Sequence, residues 1–144
     1  MPGQARILIV DDDATFAESI RDLLEASGYE VLLAADGQQG LATALVQRPD
    51  LMVLDVMMSS PTEGLDVARR VREHPELSAM KVLLVTGVSQ VMRLPRPPEP
   101  DSTWLPVDQV LEKPIAPQRL LREIERLLLS RTAAPQTPEP GPTP

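Results

Sequence analysis

Short apolar runs alternate along this chain with stretches whose apolar residues recur every three or four positions, a pattern that predicts strands alternating with helices. Ile7 to Val10 reads as the first strand, and Phe16, Ile20, Leu23 and Leu24 then recur at helical spacing up to Gly28, a natural C-terminal stop. Glu30 to Ala34 makes a second, shorter strand. Leu41, Ala44 and Leu45 mark a helix from Asp36 to Gln47, ended by Pro49. Leu51 to Val56, LMVLDV, follows the breaker pair Pro49-Asp50 and reads as a strand buried on both faces. In the next loop Ser60-Pro61-Thr62-Glu63 has capping-box spacing with Pro at the first helical position, predicting a third helix through Val71 with Leu65 and Ala68 inward.

Lys81 to Thr86 is the fourth strand, after which the pattern deteriorates. Ser89 to Leu94 has room for a turn or two of helix, but Pro95, Pro97, Pro98, Pro100 and Pro106 forbid a regular element beyond it. Val107 to Glu112 recovers a short strand. Pro117 then opens a last helix with Leu120, Leu121, Ile124, Leu127 and Leu128 in one apolar stripe. The expected organisation is one domain over residues 1–131 and a Pro-rich disordered tail or linker over 132–144. Strands alternating with helices imply parallel pairing with helices on both faces. Ligands in such α/β sheets bind outside the carboxyl ends of the strands, where the winding reverses.

Composition narrows the function. Aromatics are only 2% of the 144 residues, so the core must be aliphatic, and with Cys 0 neither a disulfide framework nor a cysteine zinc site exists. A formal net charge of -7 argues against direct nucleic-acid binding. The opening MPGQAR, followed by a four-residue apolar run before three aspartates, is too short for a signal peptide or a membrane span, so the expected setting is the cytoplasm, away from membranes.

Four of the apolar runs end on groups suited to phosphate chemistry: ILIV into Asp11 and Asp12, LMVL into Asp55, VLLV into Thr86, and VLE into Lys113. If the first and third strands flank the reversal, they are neighbours at about 4.8 Å and Asp11, Asp12 and Asp55 are forced together. Each carboxylate pair at about 4 Å then costs on the order of 4 kcal/mol at an effective dielectric of 20, which a divalent cation relieves. An all-oxygen site with room for waters and a phosphoryl oxygen suits Mg²⁺. A carboxylate is also a possible nucleophile, and a lysine and a threonine hydroxyl would stabilise the equatorial oxygens of a transferring phosphoryl group.

ILIVDDD, LDVMM, VLLVTG and LEKP, in this order, resemble the receiver domain of bacterial two-component response regulators over about Arg6 to Leu129. The resemblance implies a flavodoxin-like, doubly wound α/β fold with a five-stranded parallel sheet of order 2-1-3-4-5. It also implies a non-enzymatic switch in which Asp55 accepts a phosphoryl group from a histidine kinase, a phosphotransfer protein or a small phosphodonor. By the same likeness Asp12 binds Mg²⁺ directly, Asp11 acts largely through water, and the Met57 carbonyl completes the protein ligands. Thr86 and Lys113 contact the phosphoryl group, and a shift of the Thr86 region remodels a face that engages an unknown protein target.

The chain departs from the family pattern at three places. Val110 stands where a switch aromatic is usual. The segment from Gly87 to Gln109 is long and proline-rich, so the helix between the fourth and fifth strands is expected to be short or replaced by a loop. Ser59 replaces a usual proline, with one extra residue before Gly64. These departures leave open a pseudo-receiver that never carries phosphate. Asp11-x-Asp13-Ala-Thr15, Thr86 and Lys113 also resemble haloacid-dehalogenase-type phosphatases, a reading that needs a further acidic pair downstream of the lysine. Met57 and Val88 are apolar where a hydrolytic water would pass, so slow dephosphorylation is expected. Asp13 and Asp36 read as helix caps, His74 as a surface residue, Trp104-Leu105 as an anchor for its loop, and Arg69, Arg70 and Arg72 as a solvated helix face.

Overall fold

Five parallel strands in the order β2-β1-β3-β4-β5 form the sheet of the computed structural model, which describes residues 5–55, 63–87, 107–113 and 115–133. The elements are β1 (Arg6–Val10), α1 (Ala14–Ala26), β2 (Glu30–Ala34), α2 (Gly37–Gln47), β3 (Leu51–Asp55), α3 (Glu63–Glu73), a 3₁₀ turn at Pro75–Leu77, β4 (Lys81–Gly87), β5 (Gln109–Lys113) and α4 (Pro117–Ala133). The expected fold class and strand order are therefore observed. The Ser60–Thr62 capping segment, the stretch from Ser89 with Trp104-Leu105, and the tail from residue 134 lie outside the described residues, while α4 runs two residues past the expected boundary at 131.

The uninterrupted apolar strands explain how one sheet supports two cores. Side chains alternate faces with a period of two. Leu8, Val10, Met52, Leu54, Val82 and Leu84 therefore pack with Ala44, Val67, Ala68 and Val71 of α2 and α3. Their neighbours Ile7, Ile9, Leu51, Val53, Leu83, Val85 and Leu111 pack with Ala17, Ile20 and Leu24 of α1 and Leu120, Ile124, Leu127 and Leu128 of α4. Val110, in the place of the usual aromatic, is partly buried against the first of these cores.

Local chemistry sets the helix ends. Asp13 caps α1 by accepting the Phe16 N–H at 3.1 Å, and Asp36 caps α2 by accepting the Gln39 N–H at 2.8 Å. Gly28, with φ 98°, follows α1 and leads the chain into β2. The end of α2 differs from expectation in detail. Arg48, not the proline after it, turns the chain by adopting the left-handed conformation at φ 51°.

At the amino ends of the strands the same bridge occurs twice. Asp50, just before β3, donates its N–H to Arg6 O at 2.8 Å while its carboxylate accepts the Arg6 N–H at 2.8 Å. Asp108, just before β5, donates its N–H to Val82 O at 2.9 Å while its carboxylate accepts the Val82 N–H at 2.7 Å. Arg72 corrects the solvated-face reading of the Arg69, Arg70 and Arg72 group. Its guanidinium turns inward, donating to Met80 O at 3.1 Å and to Asp108 Oδ2 at 3.0 Å. Lys81 Nζ lies 3.7 Å from the other Asp108 oxygen. Arg69 instead pairs with Asp66 on the helix surface. β5 begins at Gln109 and not at the expected Val107, directly after this anchored aspartate.

Close contact between α2 and β1 makes one position intolerant of any side chain. A Cβ on Gly40 would stand 2.7 Å from Val10 Cγ2 and 3.0 Å from Cγ1, and Val10 is both fully buried and stiff at χ1. Gly40→Ala is expected to destabilise the fold by about 1–3 kcal/mol despite its better helix propensity, as read from a lowered denaturant midpoint at unchanged m-value.

Candidate functional site

The chemistry-bearing residues collect at the carboxyl rim of the sheet. β1 pairs with β3, with Val10 opposite Leu54, so the next residue of β1's chain, Asp11, comes level with Asp55 at the end of β3. Asp11, Asp12 and Asp55 each bring a carboxylate oxygen within 4.8 Å of the others. Burial divides the trio. Asp11 and Asp55 are 5% and 4% exposed, whereas Asp12 stands in solvent. One Asp11 oxygen accepts the Asp13 N–H at 2.9 Å, which ties its carboxylate to the start of α1. The Asp11 N–H donates to Ala34 O at 3.1 Å, so the first acid is also fastened to β2.

The cluster is enforced by the folding of the strands around it. Every residue of β3 is buried, and the apolar residues before Asp55 bury both faces of the strand, leaving its terminal carboxylate nowhere to go but the rim. Desolvated like charges so close are unfavourable unless a positive group offsets them. An oxygen-only donor set with one solvent-facing member suits a hard divalent cation, which retains waters on its open side. The three acids could hold such a metal, and Asp12 supplies the exposed entrance.

Thr86 and Lys113 occupy the two remaining strand ends. Asp55 is opposite Val85, Thr86 opposite Glu112, and Gly87 opposite Lys113, so the rim steps outward from β3 through β4 to β5. Thr86 is wholly buried and its hydroxyl lies 3.4 Å from Gly87 O. The structure thus brings the acidic trio together and sets Thr86 and Lys113 on neighbouring strand ends. The Lys113 side chain and the whole of Met57 lie outside what is described.

Sequence reasoning missed Asp50, Asp108 and the inward turn of Arg72. A weak signal existed, since each aspartate stands immediately before an apolar strand. Nothing local announced Arg72's partner, which is 36 residues away.

Fold and site together define an α/β domain carrying an acidic, metal-competent rim. The model of the response regulator receiver domain matches residues 7–125, and the chain belongs to that family. Among relatives, the response regulator MprA of Mycolicibacterium vanbaalenii is 39% identical over 136 residues, covering 94% of this chain and 53% of that protein. The chain thus spans about half the length of the MprA relatives. It covers 98% of protein PilH of Pseudomonas aeruginosa, to which it is 33% identical over 127 residues, 86% of this chain. A putative response regulator from Chloroflexus aurantiacus superposes with a TM-score of 0.74 at 29% identity, over 88% of this chain and 98% of the other. Receiver domains serve phosphorylation-dependent signalling in two-component systems.

Removing the exposed acid tests the metal reading without disturbing the core. Asp12→Asn should lower divalent-cation affinity by about tenfold or more while leaving the melting temperature of the metal-free protein unchanged or raised, because one repulsive charge is gone. Titration calorimetry and metal-free thermal unfolding measure the two quantities.

Proposed function

We propose that this domain is a phosphorylation-dependent switch in which Asp55 is the phosphoacceptor. The observation that carries the reading is the buried Asp55 carboxylate grouped with Asp11 and Asp12 at the rim, with Thr86 on the adjoining strand. In the transfer, an Asp55 carboxylate oxygen forms a bond to phosphorus as the bond to the donor breaks. When the donor is the phosphohistidine of a histidine kinase or phosphotransfer protein, the imidazole leaves and takes up a proton. Asp11, Asp12 and Asp55, with the Met57 carbonyl, would hold Mg²⁺. That ion would supply charge neutralisation for the phosphoryl oxygens. The Thr86 hydroxyl donates to one equatorial oxygen, and the Lys113 ammonium offsets the charge on another.

Phosphorylation biases the Thr86 region between two arrangements, and the surface around β5 and α4 presents the result to a protein partner. Val110, already packed against aliphatic residues of the core, offers no ring to rotate, so the response is carried by the β4 end itself. The cognate setting is cytoplasmic. Among the described residues no helix is long and apolar enough to cross a membrane.

The phosphatase alternative finds no acidic pair at the rim among the described residues downstream of Lys113. Between Lys113 and Leu129 the two acids, Glu123 and Glu125, ride on α4, where Glu123 is engaged by Arg126 at 2.6 Å. The pseudo-receiver alternative leaves unexplained why two desolvated carboxylates are kept side by side.

Incubation with acetyl phosphate and Mg²⁺ should add one phosphoryl group to the protein, detected by intact mass. Asp55→Asn should abolish the addition, and omission of Mg²⁺ should slow it by more than about tenfold. A second measurement concerns persistence. Because the residues two positions after Asp55 and after Thr86 are the apolar Met57 and Val88, the phosphorylated protein should lose its label slowly, and Met57→Asn should shorten its lifetime several-fold. Fast loss of label unaffected by that substitution would remove the proposal of slow turnover.

A further inference from the structure

We infer that Asp108, braced by Arg72, is a positioning residue that sets where Lys113 arrives at the rim; the inference rests on the proposed role of Lys113. The two aspartate bridges at the amino ends of the strands supply the argument. Asp50 and Asp108 each exchange two bonds with one residue of the neighbouring strand, main chain to main chain and carboxylate to main-chain N–H. Each also stands five positions before a rim residue, Asp50 before Asp55 and Asp108 before Lys113. The strand between is extended, so each bridge fixes the origin of a span of about 16 Å. A slip of one residue at the origin would move Lys113 by about 3.3 Å and turn it to the opposite face of the sheet.

Such a slip has to be prevented locally. The crossover into β5 carries prolines at 95, 97, 98, 100 and 106, residues that withhold the N–H groups a ladder would use to set its own register. In a parallel ladder the Val82 N–H would be met by a main-chain carbonyl. Here the Asp108 carboxylate meets it at 2.7 Å. The same carboxylate receives Arg72 at 3.0 Å, and Arg72 reaches back to Met80 O at 3.1 Å, so α3, β4 and β5 are locked at one point. Lys81 adds a second cation, 3.7 Å from Asp108 Oδ1. Side chains of Arg72 and Asp108 are only 27% and 26% exposed, which limits competition from water. This network stands at the amino ends of β4 and β5, whereas the acidic trio sits at the carboxyl ends of β1 and β3.

That separation yields a test in which positioning and simple destabilisation diverge. In Asp108→Ala the rate of phosphorylation by acetyl phosphate should fall by about tenfold or more, since small misplacements of a reacting group are costly. Mg²⁺ affinity should stay within about twofold, because the metal ligands do not depend on β5. Asp108→Asn retains an oxygen for the Val82 N–H and should recover most of the rate. Arg6→Ala, which removes a comparable set of contacts at the β1–β2 side, serves as the destabilised control and should phosphorylate normally. Cross-strand nuclear Overhauser contacts between Thr86 and Glu112 report the register directly and should shift or vanish in Asp108→Ala alone. An unchanged register and rate in folded Asp108→Ala would overturn the assignment, as would a parallel loss of Mg²⁺ affinity. If the unaltered protein takes no phosphoryl group, the phosphoacceptor reading fails, and the register measurement still decides the role of Asp108.

Discussion

Mutual repulsion among Asp11, Asp12 and Asp55 is the tension around which this domain is arranged. Carboxylates left to themselves separate and hydrate, yet two of these are almost fully buried and all three keep oxygens within 4.8 Å. What holds them is not any attraction between them but the strands that carry them. β1 and β3 are adjacent, parallel and embedded in two aliphatic cores, so the acids can move apart only by breaking the packing of Ile9, Val10, Val53 and Leu54. A divalent cation held between the acids would relieve that stored electrostatic cost and lower the charge density of the rim.

The opposite end of the sheet, where the strands begin, is built on a contrasting use of the same residue type. Asp50 and Asp108 are acids whose charge is consumed by main-chain N–H groups and, for Asp108, by Arg72 and Lys81. Acids are thus gathered side by side at the carboxyl ends of the strands and tied into main-chain bridges at the amino ends. The Arg6 guanidinium extends that framework to the β2 side by binding Glu30 and the Gln47 carbonyl at the end of α2.

Much of this was readable from the chain because the decisive signals are short-range. LMVLD announces its own double burial, and Asp13 and Asp36 satisfy N–H groups three residues on, so both caps follow from local sequence. The likeness to receiver domains ordered the strands and joined the four rim segments. What stayed hidden depends on partners far apart in sequence. Arg72 looked like its neighbours Arg69 and Arg70 because helical position alone does not reveal that Asp108 waits beside it. Gly40 gave no hint that it presses on Val10. The left-handed turn at Arg48 was concealed by the proline that follows, a sufficient reason for the helix to stop but not the residue that turns the chain.

A strand whose origin is fixed by its own preceding side chain is insulated from the loop that leads into it. With Asp108 tied to Val82, segments of many lengths and compositions could be spliced between β4 and β5 without altering the register of β5 on β4. Lineages would then be free to diversify the outer surface that partners recognise while the inner machinery keeps one set of dimensions.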